Sequence, residues 1–124
     1  MAGSKHLLIV EVDAFISDMY ARALIKSGYK VDFAKNGKEG LEKAQSGDYQ
    51  LILLDIMMPE MTGIEFLRAF KEASVKNKPK IVILTNLAQD ETSREALKAQ
   101  ADGYLIKADV VPSKLLQIVN QLLA

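Results

Sequence analysis

The fold is decided by the stretch Leu51-Ile52-Leu53-Leu54-Asp55, four consecutive apolar residues that end in an acid. A short apolar run without polar alternation is typical of a strand buried on both faces, as in a parallel sheet covered by helices. Residues 7–10 and 81–84 share this pattern. Two weaker strands are predicted over residues 29–34 and 104–106, and polar alternation in the first of these indicates an edge strand.

Segments with helical spacing lie between these runs. The clearest apolar stripe consists of Ile16, Met19, Tyr20, Ala23 and Leu24. Further helices are predicted over residues 37–44, around residues 66–70, over residues 90–101 and over residues 115–122. Gly28 and Gly103 follow the first and fourth helices, as helix-terminating glycines do. The alternation predicts an α/β protein, a three-layer sandwich around a five-stranded parallel sheet, in one domain.

The composition narrows the class of protein. Sixteen basic and sixteen acidic residues cancel to a formal net charge of zero, so no nucleic-acid footprint is expected. The chain has no cysteine, which excludes a disulfide scaffold, a thiolate metal site and a cysteine nucleophile, and favours a reducing compartment. No apolar run approaches the roughly 20 residues that a membrane span needs. We therefore expect a soluble, cytoplasmic protein without a membrane anchor.

Polar side chains stand immediately after the predicted strands, where the ligand crevice of a doubly wound sheet lies. They are Glu11 and Asp13 after the first strand, Asp55 after the third, Thr85 and Asn86 after the fourth, and Lys107 after the fifth. Each alone is typical of a cap, a turn or the surface. Together, the carboxylates repel one another unless a cation such as Mg²⁺ lies among them, and the ammonium suits a phosphate. The set predicts a site that holds a phosphoryl group on or near Asp55.

The residues around Asp55 resemble a known family motif. The sequence L-L-D-I-M-M-P-E-M-T-G over residues 53–63 resembles the phosphoacceptor segment of response regulator receiver domains, the CheY-like family of two-component signalling. Thr85, 30 residues beyond Asp55, and Lys107, 52 residues beyond it, resemble the switch hydroxyl and the lysine of that family. Tyr104 matches its switch aromatic position.

The resemblance covers nearly the whole chain and implies a fold and partners. It implies a flavodoxin-like sheet in the strand order 2-1-3-4-5, with residues 1–124 forming a single receiver domain. A sensor histidine kinase or a phosphotransfer protein would be the phosphodonor. A downstream protein or output domain would bind the face made by the fourth helix, the fifth strand and the fifth helix. No direct nucleic-acid or membrane partner is implied, and the sequence leaves open whether the chain forms a homodimer.

The resemblance also implies a role for each site residue. Asp55 would be the phosphoacceptor, with Lys107 and Thr85 as its catalytic partners, and Thr85 and Tyr104 would be the switch residues. Mg²⁺ would be held by Glu11, Asp55 and the main-chain carbonyl of Met57, and Asp13 is a further candidate ligand. The receiver would catalyse only its own phosphorylation and dephosphorylation, and would not otherwise be an enzyme.

Val12 departs from the family pattern, because it stands where the family places an Asp that ligates the metal directly. An isopropyl group cannot coordinate Mg²⁺, so metal affinity is expected to fall unless Asp13 or Glu11 compensates. Two interpretations follow. The site is weaker yet working, which the retention of Asp55 and Lys107 favours, or the chain is a degenerate pseudo-receiver that acts without phosphorylation as a protein-interaction module.

Two smaller departures lie near the site. Ala108 follows the lysine where the family often has a proline after a cis bond, so we predict a trans bond or a strained one, and a modest displacement of Lys107. Asn86 stands where the family usually has a small residue directly after the switch threonine.

His6, the only histidine, is predicted to lie far from the crevice. A flavin-binding electron carrier is a rival of the same architecture, but the acidic loop after the first strand would repel its phosphate.

Overall fold

The computed structural model describes residues 5–56, 58, 60–72, 78–85, 101–107 and 111–123. Nine elements lie within these ranges. They are β1 His6–Val10, α1 Ala14–Lys26, β2 Lys30–Ala34, α2 Gly37–Ser46, β3 Leu51–Asp55, α3 Gly63–Glu72, β4 Lys80–Thr85, β5 Gly103–Ile106 and α4 Pro112–Leu123. Helix α4 is the helix that the sequence predicts as the fifth. The predicted fourth helix, residues 90–101, falls outside the described residues except for its last position.

The five strands form one parallel sheet in the order β2-β1-β3-β4-β5. This confirms both the sheet and the strand order expected from the sequence. Strand β3 lies at the centre, where Leu53 pairs with Ile9 on one side and with Val82 on the other. Strand β2 is an edge strand, as its polar alternation predicts.

Both faces of the sheet are covered, which explains the apolar runs without polar alternation. Successive side chains of a strand point to opposite faces, and β3 supplies alternate residues to two separate cores. Leu51 and Leu53 pack with the buried side of α1 and α4, whereas Ile52 and Leu54 pack with α2 and α3. All four leucine and isoleucine side chains are fully buried. Burial of this kind, at roughly 25 cal/mol per Å² of apolar surface, is the main stabilising term.

The ends of the elements agree only in part with the predicted signals. Gly28 follows α1 with φ of 100°, a left-handed conformation that glycine adopts without strain, so the predicted helix stop is confirmed. The helix-stop reading of Gly103 is wrong, because Gly103 is the first residue of β5 and has no left-handed φ. A Cβ at Gly103 would lie 3.1 Å from Ile118 Cδ1, so its small size serves packing against α4.

Within the described ranges, none of the helices has both the length and the apolar character required to cross a membrane.

Candidate functional site

Three charged side chains converge at the carboxyl edge of the central strands. Glu11 follows β1, Asp55 ends β3 and Lys107 follows β5. Each comes two residues after a core residue of the α1 and α4 side, namely Ile9, Leu53 and Leu105. Because residues two apart on a strand share a face, the three charged groups stand together above one apolar core.

Lys107 joins the two carboxylates. Its Nζ lies 3.1 Å from Asp55 Oδ2 and 2.5 Å from Glu11 Oε1. The exposed fraction is 8% for the Lys107 side chain, 4% for Asp55 and 1% for Glu11. A buried ammonium between two buried carboxylates offsets their mutual repulsion, so the cluster is held together by its own cation.

Glu11 is fixed by the backbone around it. Its amide donates to Ala34 O at 3.1 Å, and its Oε2 accepts from the Asp13 amide at 3.0 Å. Its Oε1 is the atom beside Lys107 Nζ, at 2.5 Å. Both oxygens of the buried Glu11 carboxylate therefore have a partner in the protein, the Asp13 amide for Oε2 and the Lys107 ammonium for Oε1.

Burial and proximity shift the pKa values of this cluster. Burial raises the pKa of Glu11, and the neighbouring Asp55 raises it further, whereas Lys107 and the Asp13 amide pull it down. Burial alone would lower the pKa of Lys107, but contacts with Glu11 and Asp55 outweigh that effect and raise it. Lys107 is therefore a cation throughout the physiological range.

The loop between β1 and α1 uses its polar residue to start the helix. Asp13 is the N-cap of α1, and its Oδ1 accepts from the amides of Phe15 and Ile16 at 2.9 and 3.3 Å. Val12 is 43% exposed and carries no ligand atom. A metal-binding role for Asp13 remains a prediction, and it would have to use a carboxylate already engaged in capping.

The donor set fits a divalent cation but is a small one. In the described part of the chain, no group of three or more His, Asp or Glu side chains is arranged to hold a metal ion. Glu11 and Asp55 provide two carboxylates, and Mg²⁺ is commonly held by one or two carboxylates together with waters and phosphate oxygens. The chemistry of these two carboxylates therefore suits Mg²⁺, whereas Val12 provides no third carboxylate.

The remaining predicted site residues are placed only in part. Thr85 ends β4 and pairs with Ile106, and Tyr104 lies in β5 opposite Ile83. Their side chains, and the residues Met57, Asn86 and Ala108, lie outside the described part of the structure. The trans or strained bond predicted before Ala108 therefore lies outside the described residues.

The loop after Asp55 contains an N-terminal capping motif of α3 that the sequence analysis did not identify. The Thr62 amide donates to Glu65 Oε1 at 3.0 Å, and the Glu65 amide donates to Thr62 Oγ1 at 3.2 Å. This is a capping box, and the pattern Thr-x-x-Glu would have indicated it. Between them, a Cβ at Gly63 would lie 2.7 Å from Ile56 Cα and 3.0 Å from Asp55 O, so only glycine permits this close approach.

Comparison with known proteins identifies relatives over nearly the whole chain. A model of the response regulator receiver domain matches residues 7–120. The transcriptional regulatory protein CusR of Escherichia coli K12 is 40% identical over 101 residues, which are 82% of this chain and 44% of that protein. The regulatory protein VanRB of Enterococcus faecalis is 38% identical over 104 residues, 84% of this chain and 46% of that protein. The chain spans less than half the length of these relatives.

Solved structures agree with the fold. A CheY-like receiver domain from Methanospirillum hungatei superposes with a TM-score of 0.87 and 34% identity, covering 96% of this chain and 93% of that one. The response regulator TrrA from Thermotoga maritima, crystallised in complex with Mg²⁺ and BeF, gives a TM-score of 0.82 and 33% identity, covering 95% and 98%. The TrrA crystal therefore contains Mg²⁺ together with a beryllium fluoride compound.

Proposed function

The chain belongs to the response regulator receiver domain family, and on that premise we propose that Asp55 accepts a phosphoryl group from a histidine kinase or a phosphotransfer protein. In this proposal residues 1–124 act as one receiver domain, in the cytoplasm that the cysteine-free composition favours. The observation that carries the proposal is the contact of 3.1 Å between Lys107 Nζ and Asp55 Oδ2 at the carboxyl edge of the sheet.

The proposed reaction is a displacement at phosphorus. An oxygen of the ionised Asp55 carboxylate attacks the phosphorus of a phosphohistidine, the new O–P bond forms, and the N–P bond breaks with its electron pair leaving on the imidazole. The phosphoryl group adds about −1.5 to −2 charges to the site. Lys107, held by Glu11 at 2.5 Å, lies beside the acceptor and offsets this charge.

Burial supports the choice of Asp55 as the acceptor. Its side chain is 4% exposed, so its reactive oxygens stand in surroundings of low dielectric, where a nearby ammonium acts more strongly than in water. Positioning and charge neutralisation are the main contributions that a protein makes to phosphoryl transfer. Because their strands already hold Asp55 and Lys107 side by side, this pair provides both positioning and charge neutralisation without further rearrangement.

Mg²⁺ is the proposed cofactor. When bound, it would neutralise oxygens of the phosphoryl group during transfer. Glu11 and Asp55 would hold it, together with the main-chain carbonyl of Met57, and the meeting of the two carboxylates at the carboxyl edge of the sheet supports this assignment. Since Val12 contributes no ligand, we propose an affinity below that of a site with a third carboxylate.

Signal output is proposed to pass through Thr85 and Tyr104. The added phosphoryl charge would shift a balance between two arrangements of the face formed by the predicted fourth helix, β5 and α4. Thr85 and Tyr104 stand on neighbouring strands of that side of the sheet, which supports this route. A downstream protein or an output domain would bind there.

Incubation with a small acyl-phosphate donor tests the proposal, with intact mass as the readout. We expect one phosphoryl group per chain in the presence of Mg²⁺, a slower reaction with a chelator present, and no modification of the Asp55→Asn variant. Absence of modification under every condition would overturn the proposal and leave the pseudo-receiver. Full and equally rapid modification in chelator would overturn the assignment of the metal.

A further inference from the structure

A cleft at the amino edge of the sheet has no part in the reaction described so far. Its volume is about 480 Å³, within the range of about 300–1,000 Å³ that is typical of small-molecule sites. Strand β3 runs from this edge to Asp55, so the cleft lies about 13 Å from the carboxyl edge that carries the charged cluster. Residues that line this amino-edge cleft include Lys5, Tyr49, Gln50, Lys78, Lys80 and Leu123.

The three lysines of the amino-edge cleft come from two strands. Lys5 directly precedes β1, whereas Lys80 begins β4 and Lys78 lies two residues before it. Strand β3 lies between β1 and β4. Because neighbouring strands are about 4.8 Å apart, the lysines flank β3 at backbone positions separated by roughly 10 Å. In a chain whose formal net charge is zero, this is a local concentration of positive charge.

The ammonium groups of these lysines retain protons for a ligand. An ammonium has three N–H donors. Lys5 Nζ donates one of them to Leu123 O at 2.8 Å. Lys80 Nζ lies 4.0 Å from Asp102 Oδ1, which is a loose contact. Lys78 makes no ion pair or side-chain hydrogen bond within the described part of the chain.

Gln50 adds an oriented polar donor to the amino-edge cleft. Its Oε1 accepts from the His6 amide at 2.6 Å, which fixes the orientation of the side-chain amide. Its Nε2 has two protons, and its contact with Asp48 O is long, at 3.4 Å. Asp48 is the one acidic side chain among the described residues that line the cleft, and it is already engaged within the protein. Side-chain donors therefore outnumber side-chain acceptors, which suits an anion.

We propose that the amino-edge cleft binds a small polyanion that carries a diphosphate group. Lysine ammonium groups bind phosphate as point charges, and Leu123 provides an apolar wall beside them that strengthens the attraction. A diphosphate can contact lysines on both sides of β3, whereas a single carboxylate is too short to do so. The proposal does not depend on the proposed function of Asp55.

Titration of the full chain with inorganic diphosphate, without Mg²⁺ and at constant ionic strength, tests this proposal through ¹H–¹⁵N amide shifts. We expect saturable shifts that are largest at Tyr49, Gln50 and Leu123. The double variant Lys78→Gln/Lys80→Gln should weaken binding by about two- to fivefold per lysine, the range that an exposed ion pair supplies. The matched control Lys35→Gln/Lys38→Gln removes two exposed lysines that do not line the cleft, and should leave the affinity unchanged.

Parallel titrations with acetate and with adenosine diphosphate define the ligand. Acetate should give no saturable shifts, and saturation by acetate would overturn the assignment of a diphosphate. Tighter binding of the nucleotide at the same amides supports a diphosphate ester as the occupant, and equal binding supports free diphosphate. Shifts centred on Glu11 and Asp55, shifts that never saturate, or equal weakening in the two double variants would overturn the proposal.

Discussion

Lys107 Nζ lies 3.1 Å from Asp55 Oδ2, and each of these side chains is more than nine-tenths buried. They come from strands that are not neighbours, because β4 lies between β3 and β5. Lys107 reaches across the width of one strand to meet Asp55, and its long side chain also contacts Glu11 beyond β3. The site is therefore a bridge that ties the carboxyl ends of three strands together.

Removal of this bridge should destabilise the protein. Lys107→Met leaves two buried carboxylates without their cation, and breaking a buried pair in this way costs about 3–5 kcal/mol. Urea unfolding at neutral pH measures the loss. Lys80→Met is the matched control, because that lysine is 49% exposed and lies 4.0 Å from Asp102, an arrangement that contributes about 0–1 kcal/mol. Equal losses in the two variants would contradict the bridging role.

Val12→Asp should strengthen magnesium binding. Val12 is 43% exposed, so a carboxylate there costs little desolvation, and it restores a third acidic ligand next to Glu11. We expect at least a tenfold gain in Mg²⁺ affinity by isothermal titration calorimetry, of the order by which ligand charge tunes such sites. Val12→Ala, which removes the same apolar group without adding charge, should leave the affinity unchanged. An unaltered affinity in Val12→Asp would show that position 12 does not face the metal.

Glu11 should give the stability a measurable pH dependence. Its pKa is raised above 4.5 in the folded protein, chiefly by burial and then by Asp55. The folded state thus keeps the Glu11 carboxyl protonated to a higher pH than the unfolded chain does. The stabilisation that this proton provides is therefore complete below pH 4.5 and is lost as the pH rises through the folded pKa. Between acid and neutral pH, the free energy of unfolding should therefore decrease by more in the wild type than in the Glu11→Gln variant. Parallel profiles for the two proteins would contradict the shift.

Gly40 should not tolerate a side chain. A Cβ there would lie 2.7 Å from Val10 Cγ2 and 2.8 Å from Val10 Cγ1, in the strand that leads to Glu11. Although alanine favours helices, overpacking of this kind costs about 1–3 kcal/mol, so we expect Gly40→Ala to lower the urea midpoint. Lys38→Ala, on the same helix, serves as the control. A Gly40→Ala protein as stable as the wild type would mean that α2 moves away from β1 without cost.

Most of the fold could be predicted from sequence, because uninterrupted apolar runs mark buried parallel strands. Leu51–Asp55 is such a run, and each of its residues is buried. The ends of the helices and strands were less predictable. The sequence marks Gly103 as a helix stop, yet it begins a strand, because a glycine can serve close packing as well as a left-handed turn. The Thr62–Glu65 capping box was missed, although its spacing carries the signal.

The candidate site was predictable to a similar degree. Asp55, Glu11 and Lys107 were expected at one edge, and the structure brings them together. The capping role of Asp13 could not be separated from metal binding, because the same carboxylate suits both and only its geometry decides.

The central claim is that Asp55 itself carries the phosphoryl group. Its most direct test is to treat the protein with acetyl phosphate and Mg²⁺, reduce the acyl phosphate with borohydride, and map the altered residue by tandem mass spectrometry. We predict a single altered residue, Asp55, that is absent from untreated protein. Alteration at another residue, with Asp55 intact, would contradict the account.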